Sequence, residues 1–91
     1  VSSVSRTVQI CNTRGLHARA SAKLVKAAGN FEAEIRLIKD GQTVDARSIM
    51  GLLMLGAGIG SQVEIQAEGE DAPAALEAIV ALIEARFDED C

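Results

Sequence analysis

Apolar and polar positions alternate along Arg6–Asn12, with Val8 and Ile10 on one side and Thr7, Gln9 and Cys11 on the other. A period of two marks a strand with one buried face, so a first strand is predicted here. Thr13-Arg14-Gly15 interrupts it. From Ala18 to Ala28 the period changes: Ser21, Leu24, Val25 and Ala28 recur at helical spacing in an alanine-rich stretch. That predicts a helix, stopped by Gly29-Asn30, with Gly29 suited to a left-handed cap. Phe31, Ala33, Ile35 and Leu37 then alternate with charged residues and predict a second strand. Asp40-Gly41 predicts a tight turn into a short third strand, Gln42–Ala46, because both turn residues tolerate positive φ. Ser48 is the predicted N-cap of a short, very apolar helix reaching Leu55, which the glycines of 56–60 end. Gln62–Glu68 alternates again, with Val63, Ile65 and Ala67 inward. Asp71 is the predicted cap of a last helix with Pro73 in its first turn. Its apolar stripe is Leu76, Ile79, Val80, Ile83 and Phe87.

The order is β-α-β-β-α-β-α, and each element has one apolar face. Two layers bury all of these faces: a four-stranded antiparallel sheet with three helices on one face, an α+β fold. The order does not by itself determine which strands pair. A ferredoxin-like split βαβ with an extra helix has the same string of elements. The 91 residues make one domain, 1–91. Residues 1–4 are expected to be disordered and 88–91 to form a solvated acidic tail.

Composition narrows the function. Hydrophobic residues are 48% of the chain and aromatics only 2%, namely Phe31 and Phe87. A binder that stacks bases on aromatic rings is therefore not indicated, and the net charge of −4 gives no broad basic surface. No nucleic-acid partner is expected. The longest apolar stretch, Ile49–Gly60, is broken by glycines and too short to span a bilayer. With no signal-peptide pattern either, the expected location is cytoplasmic. Cys11 and Cys91 make no disulfide framework, and Cys11 is expected as a small buried hydrophobe. One histidine and two cysteines are too few for an ordinary zinc site, so neither a metal nor another cofactor is expected. Gly56-x-Gly58-x-Gly60 leads from a helix into a strand, the reverse of a phosphate loop.

The charge is unevenly placed. Val1 to Phe31 carries Arg6, Arg14, Arg19, Lys23 and Lys26 and no acid, whereas all thirteen acidic residues follow. The only histidine, His17, stands within that basic third, at the junction of loop and helix. There it faces the unpaired N–H groups of a helix start, a ready place for a phosphate. Arg19 can add a forked contact. A neutral imidazole near pH 7 is also a nucleophile. Spacing alone leaves two readings open: an ordinary histidine at a helix start, or phosphate chemistry.

Gly15-Leu16-His17-Ala18-Arg19 reproduces the active-site motif of HPr, the histidine-containing phosphocarrier of the bacterial phosphoenolpyruvate-dependent phosphotransferase system. Arg47-Ser48-Ile49-Met50-Gly51 resembles that family's second signature, and Leu55–Glu70 resembles the segment that follows it. The resemblance runs from about Arg6 to about Phe87. It implies an open-faced β-sandwich and a carrier that turns nothing over itself. His17 would be phosphorylated at Nδ1 by enzyme I and would pass the group to an enzyme IIA, while Arg19 steadies it. The branch served would be sugar uptake or a regulatory nitrogen-related one. The family motif usually has proline after the arginine; Ala20 stands there instead.

The apolar helix after Ser48 carries more hydrophobic residues than one face can bury, and an exposed apolar patch often marks an interface. By resemblance, Ile49, Met50 and Leu53 belong to a docking patch beside the histidine, with Ala20 and Lys23 contributing from the first helix. Ser48 has a plain reading as a helix cap. The resemblance adds a second, phosphorylation by a dedicated HPr kinase. A monomer is expected, since a small carrier must meet two partners in turn. The contrasting function is a non-catalytic regulatory or ligand-binding module on a ferredoxin-like scaffold.

Overall fold

The structure, a computed structural model, describes residues 2–88. Its strands are β1 (Ser2–Gln9), β2 (Glu34–Lys39), β3 (Gln42–Asp45) and β4 (Gln62–Gly69). Its helices are α1 (Ala18–Ala28), α2 (Ile49–Leu55) and α3 (Ala72–Glu84), followed by a 3₁₀ turn at Arg86–Asp88. The strands form one antiparallel sheet in the order β1-β4-β2-β3. β4 fills the gap between the parallel pair β1 and β2. In a ferredoxin-like split βαβ that place belongs to the third strand, so the alternative topology is excluded.

Alternation selects the buried face. Val8, Ile35, Leu37, Val63, Ile65 and Ala67 turn inward and are buried. They meet Leu24 and Ala28 of α1, Leu52 and Leu55 of α2, and Ala75, Leu76, Ile79, Val80 and Ile83 of α3 in one core. α3 lies across β1, β4 and β2; α2 packs on β3 and β2; α1 packs on α2 and α3. The opposite face of the sheet carries Ser3, Ser5, Thr7, Glu34, Glu64, Gln66 and Glu68, none of them buried. This is an open-faced sandwich.

Several expectations need correction. β1 begins at Ser2, not Arg6, because Ser2 to Val4 pair with Gly69 to Ala67 at the far end of β4. Residues 2–4 are therefore part of the sheet, and Val1 lies outside the described residues. β2 begins at Glu34, three residues later than the pattern predicts. Here other groups take the place of ladder bonds. Asn30 and Phe31 donate back to the carbonyls of Ala27 and Ala28. The Asp71 carboxylate accepts from the N–H groups of Glu32 and Ala33, both at 2.9 Å. Asp71 thus spends its side chain on the chain before β2 and makes no side-chain cap to α3. Gly29 ends α1 in the right-handed region, and the left-handed cap occurs at Gly56 of α2 (φ 66°). Asp40 and Gly41 both take positive φ, as the predicted turn requires.

The stripe ending in Phe87 is not one helix. α3 stops at Glu84, and Arg86, Phe87 and Asp88 all adopt left-handed φ (57°, 54° and 61°). The turn swings Phe87 back into the core, where it is fully buried. Asp88 belongs to this turn rather than to a tail, and residues 89–91 lie outside the described residues. Cys11 is half-buried, with its thiol donating to the Ile83 carbonyl at 3.3 Å. Arg6 sits on the inward side of β1 and pairs with Glu77 of α3 at 2.7 Å.

Candidate functional site

The site starts from a turn. Asn12 is fully buried, and its side-chain amide donates to the Gly15 carbonyl at 2.8 Å. The Gly15 N–H donates back to the Asn12 carbonyl at 3.1 Å. Gly15 takes φ +64°. A Cβ there would lie 2.5 Å from the Ala57 carbonyl oxygen and 2.7 Å from Gly58 Cα, so both φ and space require glycine. The close approach lets the Leu16 N–H donate to the Ala57 carbonyl at 2.8 Å. The segment just past α2 therefore braces the residue just before His17. Leu16 is buried and anchors the loop from below.

His17 is the N-cap of α1, in an extended conformation (φ −81°, ψ −176°). Its carbonyl accepts the first helical bond, from the Ser21 N–H at 2.8 Å. Its Nδ1 accepts from the Arg19 N–H at 3.2 Å. An accepting Nδ1 places the ring proton of neutral imidazole on Nε2 and aims the Nδ1 lone pair at the helix start. Ser21 is buried, and its hydroxyl reaches back to the Leu16 carbonyl at 3.4 Å. His17 itself is half-buried, while the side chains of Arg14 and Arg19 stand in solvent. The result is a ring oriented by an N–H of the first helical turn, with two exposed arginines close to it in sequence. Phosphate is the chemistry such a place accommodates.

A family profile described as the PTS HPr component phosphorylation site matches residues 4–85. The chain belongs to the HPr family. The phosphocarrier protein HPr of Cupriavidus necator is 50% identical over 86 residues, covering 94% of this chain and 97% of that one. The phosphocarrier protein NPr of Shewanella violacea is 48% identical over 86 residues, covering 94% of each chain. The crystal structure of an HPr from Thermoanaerobacter tengcongensis superimposes with a TM-score of 0.93 at 42% identity. That match covers 97% of this chain and 99% of the other.

Ile49, Met50 and Leu53 are exposed on α2, as is Met54 (73%), and Ile59 in the loop beyond it is 60% exposed. Leu52 and Leu55 alone of this helix are buried. Ala20 is fully buried, so it presents no docking surface; it sits on the core side of α1. Lys23 is half-buried, and its ammonium donates to the Phe87 carbonyl at 2.6 Å. The contact ties the final turn to α1. Ser48 is the N-cap of α2, its hydroxyl accepting from the Gly51 N–H at 3.0 Å.

Three supporting residues had no clear signal in the sequence. Asn12 read as the end of a strand, and Ser21 as one member of a helical stripe. Arg47 opens the second signature, with no role attached to it there. Its guanidinium donates to the carbonyls of Ala28, Phe31 and Ala33, tying the start of α2 to the end of α1 and the approach to β2. Among the described residues no helix is long and apolar enough to cross a membrane.

Proposed function

We propose that this protein is a phosphoryl carrier of the bacterial phosphotransferase system. His17 accepts the group from phospho-enzyme I and passes it to an enzyme IIA. The observation that supports this is the placement of His17 Nδ1 at the N-terminus of α1, accepting from the Arg19 N–H. The Nδ1 lone pair attacks phosphorus, the bond to the donor breaks with its electrons on the donor, and the Nε2 proton stays on the ring. The Arg19 N–H then turns to a phosphoryl oxygen, and the Arg19 side chain adds charge-assisted contact. The carrier supplies an oriented nucleophile, and each partner supplies the rest of the catalytic pocket.

Ile49, Met50 and Leu53 form the docking surface in this reading, and the protein acts as a cytoplasmic monomer. Sugar uptake and a nitrogen-related regulatory branch share this chemistry and differ in the enzyme IIA that accepts. Ser48 is the proposed regulatory site: phosphorylation by an HPr kinase would put negative charge beside Ile49 and Met50.

Incubation with enzyme I and phosphoenolpyruvate tests the carrier role. An acid-labile phosphate is expected on the native chain, none on His17→Ala, and slower formation on Arg19→Ala. A native chain that stays unmodified refutes it. Incubation with an HPr kinase tests Ser48, with Ser48→Ala as the control; an unmodified native chain refutes that role.

A further inference from the structure

The chain has two methionines, Met50 and Met54, and neither serves the core. They lie one helical turn apart on α2 and are 68% and 73% exposed, the most open of its large apolar side chains. Residues four apart on a helix stand on one strip. Ile49 and Leu53, each one position before a methionine, widen that strip and are exposed too. The buried positions of the same helix are filled by Leu52 and Leu55. Oxidisable side chains are thus absent from the described core of α2 and concentrated where solvent reaches them. Cys11 offers a less open sulfur, half-buried with its thiol engaged by the Ile83 carbonyl.

We infer that Met50 and Met54 form a reversible oxidation site that lets peroxide switch off partner docking. The inference rests on the docking role proposed above for Ile49, Met50 and Leu53, and extends it to Met54, one turn from Met50 on the same strip. The step is a two-electron oxygen transfer. A thioether lone pair attacks one oxygen of hydrogen peroxide, and the O–O bond breaks as the S–O bond forms. Sulfur is oxidised to the sulfoxide, peroxide is reduced, and one water leaves per methionine. A sulfoxide is polar and chiral where the thioether was apolar and adaptable. The fold has little to lose, since neither side chain is buried. Docking has much to lose, since two neighbouring apolar contacts become strong dipoles that a dry interface must desolvate. Methionine sulfoxide reductases restore each epimer.

The test treats the full chain with hydrogen peroxide, quenches it, and adds dithiothreitol to reverse any reversible cysteine oxidation. Peptide mass mapping should find one added oxygen on each of Met50 and Met54, at rates close to that of methionine in an unstructured peptide. Circular dichroism should be unchanged. Phosphoryl acceptance from enzyme I should fall by about tenfold, the size of a lost apolar contact pair. It should recover with the two reductases. In Met50→Leu/Met54→Leu, compared with its own untreated sample, peroxide should have little effect. Slow oxidation at either methionine overturns the inference. So does an undiminished acceptance after full oxidation, or an equal peroxide loss in the double variant. If the untreated chain accepts no phosphoryl group, the carrier reading itself has failed, and the mass map still judges the oxidation site separately.

Discussion

Gly15→Ala tests the brace beneath His17. The substitution acts twice. First, alanine must hold φ +64°, a left-handed conformation that costs a residue with a Cβ roughly 1–2 kcal/mol. Second, its Cβ would sit 2.5 Å from the Ala57 carbonyl oxygen and 2.7 Å from Gly58 Cα. Both are backbone atoms, so no side chain can swing away to make room. Segment 57–58 must retreat and stretch the 2.8 Å bond from Leu16 N–H to Ala57. Losing that bond near the core costs about 1–3 kcal/mol. Together the loss should be about 3 kcal/mol, a large share of a small domain's stability. The melting temperature should fall by roughly 15 °C. Gly41→Ala is the matched control. Gly41 has φ +82° but nothing within 4 Å of the new Cβ, so only the conformational cost applies, about 1 kcal/mol. Urea titrations of both variants isolate the contact. At a temperature where Gly15→Ala is still folded, the rate of phosphoryl acceptance should drop more than about tenfold, equivalent to 1.4 kcal/mol of barrier. Equal destabilisation by the two substitutions would refute the close-approach reasoning. An unaltered transfer rate would show that the brace does not position His17.

Four further outcomes are expected. Arg47→Ala removes the one terminal guanidinium nitrogen that donates to three carbonyls and should cost about 2 kcal/mol in urea unfolding, with Arg47→Lys recovering only part because its nitrogen ends one atom nearer the backbone. A loss under about 0.5 kcal/mol would mean that water replaces the clamp at no cost. Asp71→Ala leaves the N–H groups of Glu32 and Ala33 without their carboxylate and should cost about 2 kcal/mol, while Asp71→Asn, with one acceptor left, falls between; equal stability of all three proteins contradicts this. Arg6→Ala should change stability by less than about 0.5 kcal/mol, because its ion pair with Glu77 is exposed on both sides, and a larger change in thermal unfolding would reveal coupling not visible in the geometry. Met50→Asp should weaken enzyme I binding while leaving the unfolding midpoint nearly unchanged, since the side chain is 68% exposed; unchanged affinity in a folded variant removes Met50 from the docking patch.

The local pattern was enough to place most elements. α1 spans the same residues in the sequence reading and in the structure, because its apolar stripe begins where the Gly15 turn ends and stops at Gly29. The Asp40-Gly41 hairpin and the Ser48 cap were equally legible, since each depends on residues adjacent in sequence. The resemblance carried by residues 15–19 and 47–51 also nominates His17, Arg19 and Ser48 from sequence alone.

Tertiary structure decided what depends on partners distant in sequence. The pairing order β1-β4-β2-β3 comes from which apolar faces share one core, and the same string of elements permits another order. β2 starts late because Asp71 claims two of the preceding N–H groups from 38 and 39 residues away. Phe87 follows helical spacing but reaches the core through a left-handed turn, held by Lys23. Ala20 and Lys23 were expected in the docking patch, yet packing buries Ala20 and ties Lys23 to the Phe87 carbonyl. The brace under His17 joins residues 15–16 to 57–58, about forty positions apart. Hydrophobic period and turn chemistry are short-range properties, so sequence alone can express them. Strand order, loop bracing and the choice of hydrogen-bond acceptor are settled only when distant segments compete for the same polar groups and the same core.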